Sequence, residues 1–217
     1  MLRVGIIAGS TRPGQKATTI AKWVHETLKS RQDAEFEVVN IEDYKLPLLD
    51  EPVPPTMHQY SKAHTKTWSA KIASFDAFIF VTPEYNHGTS AALKNAIDFL
   101  YTEWNNKAAG FVGYGGAGGV RAVENLRLVM GEIKIADVRA QVSLSLFTDF
   151  ENFTIFKPHE KHAKAVHAMA DEAIAWGGAL KTLRADQSGA MPSLEGENDA
   201  RPHDSDCQQC RGRRGSS

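Results

Sequence analysis

The sequence predicts an α/β domain: a doubly wound, five-stranded parallel sheet in the order 2-1-3-4-5, with helices on both faces. Three observations lead there. Apolar runs alternate with helix-length segments whose apolar residues recur at spacings of three and four, the pattern of successive right-handed strand–helix–strand units. Several of the runs lack a polar face, as strands covered on both sides do. A loop rich in Gly, Ser and Thr follows the first run, and in that strand order the ligand crevice lies between strands 1 and 3, at their carboxyl ends.

The first strand is Leu2–Ala8, and a helix is predicted over Lys16–Ser30, with Ile20, Trp23, Val24 and Leu28 on one stripe. Phe36–Ile41 forms the second strand. The Pro-rich connection Asp43–Pro55 has little room for regular structure and wraps the surface. A more polar helix over His58–Ser74 carries Trp68 and Ile72. The third strand, Ala77–Val81, leads into a helix over Ser90–Tyr101 bearing Leu93, Ile97 and Leu100, with Thr89 or Ser90 as its N-cap. The fourth strand is Ala108–Val112, followed by a helix over Val120–Gly131 with Val123, Leu126 and Met130 inward. Val138–Leu146 is the fifth strand, with Val142, Leu144 and Leu146 alternating, and His159–Leu183 closes the domain as a helix.

The 217 residues suit one domain with a tail, and the 42% hydrophobic content is enough for a full core. From about Ala185 the composition turns to Gly, Ser, Asp, Glu, Pro and Arg. Residues 1–184 are therefore expected to fold and 185–217 to remain disordered. Cys207 and Cys210 fall in that tail. A single C-x-x-C with no second pair or histidine partner is weak evidence for zinc, and it sits on no strand–helix unit that would make it a redox motif. A net charge of −1 argues against a nucleic-acid partner. Two cysteines give no disulfide framework, and no run has membrane length or signal-peptide character, so a cytoplasmic protein with no membrane partner is expected.

The chemistry concentrates in three loops. Gly9-Ser10-Thr11-Arg12-Pro13-Gly14-Gln15 lies between a buried strand and a helix start, where unpaired N–H groups and the helix dipole favour an anion. Ser10 and Thr11 add hydroxyls and Arg12 a cationic fork. The spacing is neither that of a Walker A loop nor of a dinucleotide fingerprint. A tight loop of this kind suits a terminal phosphate monoester such as that of FMN. The second loop runs Thr82-Pro83-Glu84-Tyr85-Asn86-His87-Gly88-Thr89-Ser90, at the predicted crevice. Its backbone N–H groups can face the N1/O2 side of a flavin ring, and Tyr85 offers a flat face to a ring or a substrate. No other histidine or carboxylate has ligand spacing to His87, so no metal site is predicted. In the third loop Gly113, Gly115 and Gly118 match Gly-x-Gly-x-x-Gly formally. That loop follows the fourth strand rather than the first, so the dinucleotide reading is rejected in favour of a bare backbone that a flat ring can approach.

Taken in order, Gly9–Gly14, Pro83–Gly88 and Gly113–Gly119 make the chain resemble the NADPH-dependent FMN reductase family of flavodoxin-like proteins, over roughly Met1 to Leu183. The resemblance implies a flavodoxin-like fold, non-covalently bound FMN, and NADPH or NADH as hydride donor to a small-molecule electron acceptor such as a flavin or quinone. It implies that Ser10, Arg12 and Gln15, with Ala17 or Thr18 near the helix start, hold the FMN phosphate. Thr82, Pro83, Glu84, Tyr85, Asn86 and His87 would meet the ring and ribityl chain, and Gly113, Gly115 and Gly116 the ring edge. Tyr85 and His87 would also border the substrate. Turnover would be ping-pong, with no catalytic side-chain acid or base. A homodimer or homotetramer is implied, and Tyr101 and Trp104 are either exposed at its interface or packed internally. The competing readings are an electron-carrying flavodoxin, which the near-zero net charge opposes, and a flavin-binding regulatory protein without turnover.

Overall fold

The computed structural model describes the backbone of residues 1–189 and side chains through Ala185. Strand β1 (Leu2–Ala8) pairs in parallel with β2 (Ala34–Asn40) on one side and β3 (Ala77–Pro83) on the other. Beyond β3 come β4 (Lys107–Gly115) and β5 (Ile135–Ser145), giving the order β2-β1-β3-β4-β5. The predicted order is the observed one.

Side chains alternate between two cores, as the period of a strand requires. Val4, Ile6 and Ala8 face α1 (Ala17–Leu28) and α5 (Lys161–Gly189), while Ile7, Phe78 and Phe80 face α2 (Ala63–Ala73), α3 (Ala91–Asp98) and α4 (Val120–Glu132). Both faces are covered, which explains the apolar run Ala77–Val81 of β3: each of those side chains has a core to enter. Ser90 caps α3, accepting from Leu93 N at 3.0 Å and donating to the Gly9 carbonyl at 2.6 Å. One hydroxyl thus starts a helix and fastens it to the end of β1.

Several boundaries differ from the sequence reading. Helix α2 starts at Ala63, not His58, because Pro55–Met57 form a 3-10 turn that ends with His58 in the left-handed region. Strand β4 continues through Gly113 and Gly115, which the sequence placed in a loop. The ladder to β3 pairs Thr82 with Gly113 and Pro83 with Tyr114, and β5 pairs on the other side, so tertiary pairing overrides the low strand propensity of glycine. Trp104 is not an exposed interface residue. It is wholly buried, donates its indole N–H to the Ile97 carbonyl at 3.1 Å, and packs 4.9 Å from Phe78. Tyr101 is half-buried, with its hydroxyl donating to the Glu132 carbonyl. Helix α5 runs to Gly189, taking in residues 185–189 of the expected tail; the remainder, with Cys207 and Cys210, lies outside the described residues.

Two features were not anticipated. A small antiparallel hairpin, β6 (Phe150–Glu151) and β7 (Ile155–Phe156), interrupts the route from β5 to α5. It packs on α1 through the Phe156–Trp23 edge contact at 5.5 Å. At the opposite end of the sheet, buried Lys107 donates to the Ile72 and Ala73 carbonyls at the end of α2. Burial, aided by repulsion from Arg184, pushes its pKa down to about 7. Nearby, Asp76 receives Lys181 and Arg184 from the last turns of α5. No helix among the described residues is long and apolar enough to cross a membrane.

Candidate active site

The loops after β1, β3, β4 and β5 converge at the carboxyl end of the sheet around a cleft of about 300 Å³. Arg12, Gly14, Gln15 and Lys16 line one side. Pro83, Glu84, Tyr85, Tyr114 and Gly115 line the floor and far side, with Leu146 and Phe153 completing the rim.

The first loop leaves β1 through Gly9, whose N–H donates to the Val81 carbonyl at 2.9 Å. Ser10 is wholly buried. Its oxygen accepts from Arg12 N at 3.4 Å and lies 3.3 Å from the Tyr85 hydroxyl. The Arg12 guanidinium lies over the Tyr85 ring, 5.9 Å from its centroid. Helix α1 has no side-chain cap at Lys16; instead Gln15 accepts from Thr18 N at 3.0 Å and donates to the Thr18 hydroxyl. Gln15 and Thr18 therefore satisfy each other. Ala17 is buried and has only its backbone to offer.

Tyr114, which the sequence reading passed over among its glycines, sits beside this helix start. Its hydroxyl is buried and makes no hydrogen bond among the described residues. Burial, then the neighbouring Tyr85, push its pKa up, while the N–H groups of Lys16 and Ala17 and the Ser10 hydroxyl pull the other way. An unpartnered buried hydroxyl costs roughly 1–3 kcal/mol. Beside a helix N-terminus, an anionic oxygen would remove that cost. The donor set of Ser10, Tyr114, Arg12 and the start of α1 therefore fits a phosphate group.

The second loop is a tight hairpin. Tyr85 and Gly88 exchange both backbone hydrogen bonds, at 2.9 and 3.0 Å, across Asn86 and His87, whose φ values of 50° and 70° are the positive pair of a two-residue type I′ turn. Asn86 and His87 are exposed at its tip. Thr82 lies beneath the loop: it is wholly buried, with its hydroxyl engaged by the Pro83 carbonyl and Thr89. Glu84 N–H donates to the Tyr114 carbonyl, extending the β3–β4 ladder. The Glu84 carboxylate turns to α4, where it accepts from the Arg121 backbone N–H at 3.1 Å and from the guanidinium Nε at 2.6 Å. Burial works to raise the Glu84 carboxyl, but the Arg121 bonds outweigh it and hold the pKa below the usual range.

In the third loop, glycine is required for a reason other than approach of a ring. A Cβ on Gly119, at φ 72°, would lie 2.4 Å from Tyr114 N, and one on Gly113 would lie 2.8 Å from the Gly119 carbonyl. The loop folds back on its own strand and fills that space. Gly115 stays on the cleft and Gly116 is exposed beside Phe147.

The fourth contribution, from the segment after β5, was not read from the sequence. Phe153 tips the β6–β7 hairpin, with Asn152 and Phe153 both at positive φ, and meets Phe147 edge-on at 5.6 Å. The hairpin base is fixed by buried Asp149, which accepts from Ser145 N and His159 N and pairs with His162 at 2.9 Å. The aromatic run Phe147, Phe150, Phe153, Phe156 was the available signal, since its spacing suits neither a strand face nor a helix stripe.

A family model described as NADPH-dependent FMN reductase matches residues 2–149. The chain is 42% identical over 159 residues to an NAD(P)H-dependent FMN reductase, ntnL, of Nectria sp, covering 69% of this chain and 79% of that one. It is 32% identical over 140 residues to an NAD(P)H:quinone oxidoreductase of Solanum tuberosum, covering 59% of this chain and 67% of that one. Among solved structures, FerB, a flavoenzyme NAD(P)H:(acceptor) oxidoreductase from Paracoccus denitrificans, superimposes with a TM-score of 0.65 at 21% identity. That match covers 82% of this chain and 98% of FerB, and it shows a common fold.

Proposed function

The chain belongs to the NADPH-dependent FMN reductase family, an oxidoreductase family that uses FMN and NAD(P)H, and on that premise we propose that it reduces a flavin, a quinone or a similar small acceptor at the cleft just described. The observation that carries the proposal is the buried, unpartnered Tyr114 hydroxyl set against Ser10 and the start of α1.

FMN, if bound, would supply the two-electron redox chemistry between NAD(P)H and the acceptor. The protein holds and orients. Ser10, Tyr114 and Arg12 bind the phosphate, with the N–H groups of Lys16 and Ala17, while Gln15 and Thr18 keep the helix start in shape. Pro83, Glu84 and Tyr85, which line the cleft, would meet the ring and ribityl chain, with exposed Asn86 and His87 beyond them, and Gly115 and exposed Gly116 would meet the ring edge. Tyr85, on the cleft, and exposed His87 border the face where nicotinamide and acceptor would take turns. One shared face makes the kinetics ping-pong. No side chain is assigned as acid or base. We further propose a cytoplasmic homodimer or homotetramer, with no nucleic-acid or membrane partner.

The test is a visible spectrum of the protein reconstituted with FMN, recorded anaerobically before and after NADPH. Bleaching within the time of mixing, and recovery on adding a quinone, supports the proposal. Slow bleaching by NADPH would favour a flavin protein without turnover. Double-reciprocal plots at several quinone levels should be parallel, and intersecting lines would refute the shared face.

A further inference from the structure

Arg121 lies outside the three loops assigned to the cofactor, yet it is tied to the second loop at several points. It is the second residue of α4. Its backbone N–H and guanidinium Nε go to opposite oxygens of Glu84, at 3.1 and 2.6 Å, and its Nη2 also contacts Glu84. Its Nη1 donates to His87 Nε2 at 2.8 Å. One turn on, Asn125 donates to the His87 carbonyl at 3.1 Å. Gly119 gives α4 no side-chain cap, so Glu84, from the end of the neighbouring strand β3, caps the helix. The first two turns of α4 thus hold the hairpin at Glu84, just before it, and at His87, one of its two central residues in the left-handed region.

We propose that Arg121 is a positioning and charge-setting residue: with Glu84 it locks the Pro83–Gly88 loop, and the balance of the two charges sets the reduction potential of FMN in the cleft. The inference rests on the reading of this cleft as the FMN site. Two-electron reduction of FMN leaves one negative charge on the ring, whether NAD(P)H delivers it as hydride or dithionite supplies two electrons and the solvent one proton. Glu84 lines the cleft, with its side chain 6% exposed. The carboxylate is poorly hydrated and its charge acts strongly on a developing one, whereas the Arg121 side chain is 44% exposed and its charge is partly screened. Paired, the carboxylate and guanidinium cancel. Removing one uncovers the other, and the two deletions act in opposite directions. Simple loosening of the loop would not produce opposite signs.

The experiment measures FMN reduction potentials, by equilibration with reference dyes, for wild type, Glu84→Gln, Arg121→Gln, the double variant and Arg121→Lys. Glu84→Gln should shift the potential positive and Arg121→Gln negative, with the double variant returning toward wild type. Arg121→Lys should keep a near-wild-type potential but release FMN several-fold faster, because lysine lacks the fork that engages Glu84 and His87 together. Shifts of the same sign, or no shift, with FMN bound would overturn the inference. If Arg121→Gln does not retain FMN, Glu84→Gln decides: a positive shift supports the inference, and an unchanged or negative one refutes it. A wild-type protein that binds no FMN would refute the cofactor site itself, and this inference with it.

Discussion

The Ser10 hydroxyl lies 3.3 Å from the Tyr85 hydroxyl, a contact that spans 75 positions in sequence and joins the loop after β1 to the loop after β3. Tyr85 therefore does not stand free in its loop. Its hydroxyl is anchored in the anion site and its ring lies under Arg12. Tyr85→Phe should loosen FMN modestly, by about one hydrogen bond or severalfold in Kd. Tyr85→Ala should in addition lower turnover with both NAD(P)H and quinone. Fluorescence titration with FMN, set beside steady-state kinetics, separates the two effects; full activity in Tyr85→Ala would remove the residue from the substrate face.

Tyr114→Phe should have opposite effects on apoprotein and holoprotein. Deleting a buried hydroxyl that lacks a partner should raise apoprotein stability by about 1 kcal/mol, while FMN binding weakens by roughly tenfold. Riboflavin, which has no phosphate, should bind both proteins equally. Thermal melts with and without each ligand check this, and equal loss of FMN and riboflavin affinity would place the hydroxyl elsewhere.

Arg12 is exposed and contributes its charge to the same site. Arg12→Ala should lower FMN affinity by about ten- to a hundredfold, the value of a charge-assisted hydrogen bond, without changing apoprotein stability. Unchanged affinity would mean that the guanidinium serves only the Tyr85 ring.

Lys107 gives the fold a pH dependence unrelated to the cleft. Burial holds its pKa at about 7 in the folded protein, against an ordinary value of 10.5. Between those values the unfolded chain carries a proton that the folded chain has released, so this group's contribution to stability rises as pH rises through that window. Below pH 7 both states are protonated and the contribution is level. The melting temperature of wild type should therefore gain on that of Lys107→Met from pH 7 to pH 9. A difference that stays constant across that range would show that Lys107 keeps its proton.

The last turns of α5 are fastened at the far end of the sheet, where Asp76 holds Lys181 and Arg184. Truncation after Gly189 should leave the melting temperature and FMN binding unchanged, and truncation after Leu180 should lower the melting temperature. Loss of stability in the longer protein would mean that residues beyond 189 pack against the domain.

The sequence by itself determined the strand order, the two-faced core and the position of the crevice. These rest on local patterning: the apolar run Ala77–Val81, three-and-four spacing in the helices, and a Gly/Ser/Thr loop before α1 are each readable within a few residues. Ser90 as a helix cap was legible for the same reason. Tertiary structure alone decided which side chains meet. Tyr114 reaches the start of α1, Glu84 caps α4 through Arg121, and Phe153 reaches the cleft rim, each across strands or loops distant in sequence. Trp104 likewise went inward because α2 and β3 supply the pocket for its indole. Residue type and spacing carry the period of an element, but a side chain's partner depends on the register and packing of elements far along the chain, and those exist only once the sheet has formed.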